Sequence, residues 1–139
     1  MTPEQITIVK STITRAHADL PVLVTDFYTR LFAAAPELRE FFATDLADQR
    51  RKFAAQLEAI GGALDDFDAF VAHVAELGQR HQTYGVRPDH YAVAGPPLLA
   101  TLAAALGDDW TGEVEQAWRC AYNLIAETMM ASAVPAANG

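Results

Sequence analysis

The sequence predicts an all-α protein, and three observations carry this prediction. Apolar residues recur at the 3.6-residue spacing of a helix through most of the chain. No stretch alternates apolar and polar residues with the two-residue period of a strand. Proline and glycine fall between the periodic stretches, where helices begin and end. We expect five long helices and two or three short ones in one domain, because 139 residues suit a single core.

The composition is that of a protein with an ample apolar interior and an acidic surface. Apolar residues make up 51% of the chain, the formal charge is −8 and the isoelectric point is near 4.8. An acidic surface repels phosphate, which argues against nucleic acid as a partner. The sequence shows neither a secretory signal nor an apolar run long enough to span a bilayer. We therefore expect a soluble, cytoplasmic protein without membrane insertion.

The first two helices are marked by their start signals. Thr2, Pro3 and Gln5 have the types and spacing of a capping box with proline in the first turn. Pro21 ends this first helix and opens the second, whose apolar face includes Tyr28. A tyrosine among buried positions is expected to need a hydrogen-bond partner.

Two segments follow between the second helix and the histidine-bearing one. Pro36 begins the short segment PELREFF, which ends in a pair of aromatic residues, the second being Phe42. A helical pattern then resumes, and its first turns carry a dense polar and basic run, residues 48–52. Gly61–Gly62 lies late in this helix and predicts a close approach of another helix, because glycine has no side chain.

The stretch 66–85 predicts a helix with His81 on its apolar side. At 100° per residue, four apolar residues lie within about 40° of His81: Phe67, Phe70, Val74 and Leu77. Gly85 predicts the helix end directly behind the histidine. Spacing alone leaves two interpretations open, a core histidine with a hydrogen-bond partner or the axial ligand of a flat apolar cofactor.

The last third of the chain predicts two more helices. One starts at Pro88 and runs to about residue 106, with Tyr91 on its apolar face. Pro96–Pro97 removes two amide donors from its middle, so we expect a kink or a split near Gly95. The final helix covers about residues 113–132. We expect a folded domain over residues 1–134 and a flexible tail over 135–139.

A haem site would need an axial imidazole, an apolar slot, an aromatic residue on the ring, cations for the propionates and distal groups that act on a bound gas. A phenol or amide that donates to dioxygen stabilises its partly negative oxygen atoms. The candidates for these requirements are His81, Phe42, the run Arg50 to Lys52 with Arg80, and Tyr28 and Gln49.

Five blocks resemble a known family when they are taken in order. They are FYTRLF, PELREFF, DQRRK, RPDHYAVAGPPLLATL and AWRCAYNLIA, with a histidine before the fourth. Over about residues 2–134 the chain is similar to the globin domain of flavohaemoglobins and of the related single-domain bacterial haemoglobins. This resemblance implies a globin fold, a three-over-three helical sandwich, that binds haem b.

On the distal side, the resemblance implies roles for residues that match the family's positions. Tyr28 corresponds to the distal tyrosine, Phe42 to the phenylalanine packed on the haem, and Gln49 to the distal glutamine. Phe53 lies one turn further along the same helix, above the ring. Lys52 is a candidate for contact with a propionate.

On the proximal side, His81 corresponds to the axial ligand and Tyr91 to a tyrosine near it. Arg80 is a second candidate for a propionate. Trp118 and Tyr122 match an aromatic pair on the last helix, to which we assign a packing role.

Two departures from the family alter what we expect. Phe53 stands where leucine is usual, which predicts a narrower distal pocket. Ala133 stands where flavohaemoglobins have a glutamate that hydrogen-bonds the proximal histidine. We therefore expect His81 to donate to a backbone carbonyl such as that of Leu77, and oxygen activation to be weaker than in those enzymes.

The resemblance implies a protein that binds dioxygen reversibly, with nitric oxide and carbon monoxide as other ligands. Its role would be oxygen delivery, oxygen storage or nitric oxide detoxification, in a monomer or homodimer without flavin and nicotinamide domains. One alternative is a nitric oxide dioxygenase that works with an external reductase. Another is a gas or redox sensor that acts through a partner protein.

Overall fold

A computed structural model of the chain describes residues 1–42, 46–83 and 85–132, without the side chains of residues 42, 83 and 132. Within these ranges every regular element is helical, which confirms the all-α prediction. The long helices are α1 (Pro3–Ala16), α2 (Leu20–Ala34), α3 (Leu46–Ala63), α4 (Phe67–Thr83), α5 (Pro88–Leu106) and α6 (Gly112–Ser132). Short 3-10 helices cover His17–Asp19, Pro36–Phe42 and Gly107–Asp109.

The expected count of five long helices is wrong, because the described part of the chain has six. Each of the six has between 14 and 21 residues. The most extensive packing is between α4 and α6 and between α2 and α5, while α1 lies against both α6 and α3. None of the described helices has the length and apolar character needed to cross a membrane.

The start of α1 has the predicted capping box. The Thr2 hydroxyl accepts a hydrogen bond from the Gln5 amide at 3.1 Å, and the Thr2 amide donates to the Gln5 side chain at 2.9 Å. Two amide hydrogens that would lack helical partners are satisfied in this way. The helix ends at Ala16, and a 3-10 turn leads into α2 before Pro21.

Two predictions are wrong, one about the course of α5 and one about burial on α4. The expected split of α5 at Pro96 and Pro97 does not occur, because the helix is continuous from Pro88 to Leu106. The alternative, a kink, stays a prediction. Packing offsets the lost amide donors, because Pro97 is buried and Gly95 lets Tyr122 approach. Phe67 was expected among the buried residues of α4, but it is 68% exposed. It is the first residue of the helix, and the apolar stripe meets the core only from the next turn onward.

Besides Gly95, glycine allows close helix approaches at Gly61 and Gly78, and only the one at Gly61 lies where the sequence predicted it. A Cβ atom on Gly61 would lie 2.5 Å from Ile13 Cδ1, whereas a Cβ on Gly62 would meet nothing within 4 Å. The closer approach is at Gly78, where a Cβ would lie 2.7 Å from Met129 Cα and 2.9 Å from its carbonyl carbon. Backbone atoms cannot rotate aside, so Gly78 sets how closely α4 approaches α6.

Substituting Gly78 and Gly62 with alanine is expected to have opposite effects on stability. Gly78→Ala should lower the free energy of unfolding by about 2 kcal/mol, because overpacking exceeds the gain in helix propensity. Gly62→Ala should raise it by about 0.5–1 kcal/mol, because alanine restricts the unfolded chain and meets no neighbour. Urea unfolding of both variants checks this pair. Equal effects of the same sign would show that Gly78 does not set the helix separation.

Candidate functional site

A buried phenol and an amide meet where α2 and α3 pack. Tyr28 is 3% exposed, and the Gln49 side-chain amide donates to its hydroxyl oxygen at 3.3 Å. Burial raises the pKa of the Tyr28 phenol above its usual value of 10.0, although the Gln49 hydrogen bond and the positive charge of Arg50 oppose this rise. The phenol therefore keeps its proton and can act as a hydrogen-bond donor at neutral pH.

Aromatic rings surround this pair. The Phe53 ring lies 4.9 Å from that of Phe27 and 5.7 Å from that of Tyr28, between ring centroids. Phe32 stacks on Tyr28 at 5.8 Å, and the Arg39 guanidinium lies 5.5 Å from the centre of the Phe32 ring. We call Tyr28, Gln49, Phe53, Phe27 and Phe32 the phenol cluster.

Phe27 and Phe32 were not among the predicted site residues. Phe32 follows Tyr28 by four residues, so the helical period placed both on one face and gave a usable signal. No such signal marked Phe27 in the sequence, because its contact is with Phe53 on another helix.

The imidazole of His81 is fixed in the last turns of α4. Its Nδ1 atom lies 2.9 Å from the Leu77 carbonyl oxygen, the partner expected from the sequence. Because a carbonyl only accepts, Nδ1 carries the hydrogen, and in the neutral ring Nε2 has a lone pair. Burial lowers the pKa of His81 below 6.5, the Leu77 hydrogen bond opposes this shift, and the charge of Arg80 adds to it. The ring is therefore neutral at pH 7 and can act as a ligand.

The chain turns away directly after His81. The Val86 amide donates to the His81 carbonyl at 3.1 Å, and Gly85 has a φ of +93°, a conformation that glycine adopts without strain. This turn ends α4 as predicted and leads to α5, whose Tyr91 lies near the imidazole.

Tyr91 lies beside the imidazole, and Tyr122 holds the backbone of Tyr91. The Tyr91 ring is nearly parallel to that of His81, with centroids 6.4 Å apart. The Tyr122 hydroxyl donates to the Tyr91 backbone carbonyl at 2.5 Å, and burial raises the pKa of Tyr122, which keeps that proton in place. Tyr122 therefore does more than pack, because it ties α6 to the backbone of Tyr91. We call His81, Leu77, Tyr91 and Tyr122 the imidazole cluster.

Tyr122 could not be assigned this role from the sequence. Its acceptor is a backbone carbonyl on another helix, and no side-chain pattern marks such a partner. Gly95 is part of the arrangement, since a Cβ there would lie 3.1 Å from Tyr122 Cε2.

Of the remaining predicted site residues, two are exposed cations and one has a side chain outside the description. Lys52 pairs with Asp48 at 3.1 Å and Arg80 pairs with Glu76 at 3.6 Å, and both cations are about half or more exposed. Exposed pairs of this kind are weak, so they can exchange for another anion. The Phe42 side chain and residue 133 lie outside the described part of the structure.

The donor set of the two clusters suits haem. Among the described residues there is no group of three or more His, Cys, Asp or Glu side chains that could hold a metal ion. A metal bound at His81 would thus need ligands that the described chain does not supply, such as the pyrrole nitrogens of a macrocycle. A neutral imidazole with a lone pair on Nε2, together with a buried phenol, its amide partner and aromatic walls, fits an α-helical haem-binding protein.

Comparison with known proteins gives the family. The family model described as Globin matches residues 25–129, which is most of the chain, so the protein belongs to the globin family. The chain is 33% identical to a flavohemoprotein of Vibrio cholerae and 34% identical to one of Deinococcus radiodurans, each over 133 residues and 94% of this chain. It spans about a third of the length of these curated relatives, 34% and 33% respectively.

A solved structure shows the same fold. A bacterial globin from Campylobacter jejuni superposes with a TM-score of 0.82 at 22% sequence identity, covering 95% of this chain and 96% of that one. The predicted globin fold, a three-over-three helical sandwich, is confirmed. As a globin, the protein belongs to a class of haem-binding proteins.

Proposed function

We propose that this protein binds haem b and holds dioxygen reversibly between the phenol cluster and the imidazole cluster. His81 would be the proximal ligand, and Tyr28, Gln49 and Phe53 would surround the gas. The observation that carries this proposal is the hydrogen bond from the half-buried Gln49 amide to the buried Tyr28 hydroxyl, made where α2 packs on α3, whereas His81 is on α4.

Each side chain has a distinct task in this proposal. Haem, when bound, would supply the iron that takes up a diatomic gas. The His81–Leu77 hydrogen bond holds the imidazole in the tautomer whose Nε2 can act as ligand. The Tyr28 phenol donates a hydrogen bond to the gas, and Gln49 orients that phenol. Such a bond favours dioxygen over carbon monoxide, because dioxygen becomes more negative when it is bound.

Other predicted residues would complete the pocket. Phe42 would pack on the macrocycle, and Tyr91 would support the imidazole from behind. Lys52 and Arg80 would exchange their carboxylate partners for the propionates, at small cost because both pairs are exposed. We propose residues 1–134 as the globin domain and the cytoplasm as its location.

A second candidate is nitric oxide dioxygenation, in which nitric oxide and dioxygen give nitrate and an external reductase supplies the electron. The names of the similar proteins favour this reading, since a flavohemoprotein combines flavin with haem. The same phenol cluster would serve both functions. The Leu77 carbonyl is a weaker acceptor than a carboxylate, so the imidazole donates less electron density and turnover should be slow. A gas or redox sensor that acts through a partner protein is the third candidate.

Oxygen equilibrium and nitric oxide turnover separate these functions. The haem-loaded, reduced protein should give an oxygen spectrum that reverses on removal of the gas. Nitric oxide consumption with a supplied flavin reductase should then be slow relative to reversible binding. Fast catalytic nitrate formation would make dioxygenation the main function. A pigment that oxidises at once without a reversible oxygen spectrum would overturn the proposal.

A further inference from the structure

A cavity with a volume of about 430 Å³ lies between α5 and α6. This is within the usual size range of small-molecule sites. Its lining includes the three aromatic residues Tyr91, Trp110 and Tyr122. Small residues such as Ala100 and Ala103 leave the rings accessible. The cavity is separate from the phenol cluster, with which it shares no lining residue.

The polar residues of this cavity include a hydrogen-bond acceptor that has room for a further donor. Arg119 uses both its Nε and an Nη atom, at 3.0 and 2.9 Å, on one oxygen of Glu115, which leaves the other carboxylate oxygen for a further donor. Ala92 and Pro96 both line the cavity, and Pro96 has no amide hydrogen to donate to the Ala92 carbonyl four residues before it. The Asn123 side chain adds both an acceptor and a donor.

The net charge of the protein also bears on which ligand the cavity would bind. Because the formal charge is −8 and the charges of Arg119 and Glu115 sum to zero in the lining, the cavity has no net positive charge that would favour an anionic ligand. A flat ring with an N–H or O–H group would stack on the aromatic wall and donate to the acceptors. The net charge therefore favours an uncharged molecule, and the second carboxylate oxygen of Glu115 favours one that carries a donor.

We propose that the cavity between α5 and α6 is a binding site for a small uncharged aromatic molecule that carries an N–H or O–H donor, of the indole or phenol class. This site is independent of the proposed haem function, although Tyr91 and Tyr122 border both. For a molecule of this size we expect a dissociation constant of about 1 mM.

The test is a titration of the 15N-labelled full chain with indole. Binding is monitored through the side-chain N–H signals of the tryptophan residues. The chain has two tryptophans, of which Trp110 lines the cavity and Trp118 is 3% exposed in the core. The Trp110 signal, assigned with Trp110→Phe, should shift saturably while the Trp118 signal stays. Indole-3-carboxylate should bind at least about fivefold more weakly, because its carboxylate faces acceptors.

A matched pair of α5 variants locates the site. Ala100→Phe fills the cavity and should weaken indole binding at least about tenfold. Ala104→Phe adds the same side chain to an exposed position of the same helix outside the lining, and should change binding less than about twofold. Absence of a saturable Trp110 shift, an equal effect of both variants, or tighter binding of the carboxylate would each overturn the proposal.

Discussion

Replacing His81 with glycine is expected to weaken haem binding more than about 100-fold, because changes in residues that only support a metal ligand already cost 10- to 100-fold. The variant removes the neutral imidazole whose Nδ1 is tied to the Leu77 carbonyl. The rest of α4 should keep its conformation, because the Gly78 contact with α6 is unchanged. The haem affinity is measured by titrating the apoprotein with haemin and recording the absorbance of the Soret band.

Two controls separate ligation from folding. Added imidazole should restore the Soret band of His81→Gly, since the space left by the ring accepts the free ligand. His73→Gly is the matched variant, because His73 is on the same helix but its Nε2 lies 2.6 Å from the Gln56 side chain. It should bind haem as the unchanged protein does. If His81→Gly kept its haem without imidazole, the assignment of the proximal ligand would be wrong.

The fold was largely predictable because its signals are local. Helix starts follow from capping residues such as Thr2 and Gln5, and helix ends follow from glycine such as Gly85. The tertiary approach of α4 and α6 was not predictable, because nothing around Gly78 reveals that the Met129 backbone lies against it. Gly61–Gly62 looked equally suited to a close approach, and only one of the two residues makes it.

The candidate site was predictable where resemblance and helical period agree. Tyr28, Gln49 and Phe53 lie together, and His81 lies beside Tyr91. Contacts that link different helices escaped prediction, such as Phe27 with Phe53 and the Tyr122 hydrogen bond to a backbone carbonyl. The continuity of α5 was missed for a related reason. Local rules count the amide donors that proline removes, whereas burial against other helices decides whether the helix continues.

Tyr28→Phe is expected to speed dioxygen dissociation by about 10- to 100-fold, because one hydrogen bond to a charged group is worth about 1.5–3 kcal/mol. The substitution removes only the hydroxyl, so the ring contacts with Phe27, Phe32 and Phe53 remain. Dissociation of carbon monoxide should change less than about threefold, because that ligand carries little negative charge. Stopped-flow replacement of dioxygen by carbon monoxide gives the first rate, and replacement of carbon monoxide by nitric oxide gives the second.

The pH dependence of this effect distinguishes a hydrogen bond from a steric change. Burial raises the pKa of Tyr28 above 10.0, so the phenol remains protonated and donating throughout the range of about pH 6 to 9. The ratio of the variant and unchanged dissociation rates should therefore be constant over that range. Gln49→Leu removes the amide that orients the phenol, and should raise the dioxygen rate by a smaller factor, about three- to tenfold. If dioxygen and carbon monoxide dissociated faster by the same factor in Tyr28→Phe, the phenol would act by filling space, and the pocket would have no preference for dioxygen built on this side chain.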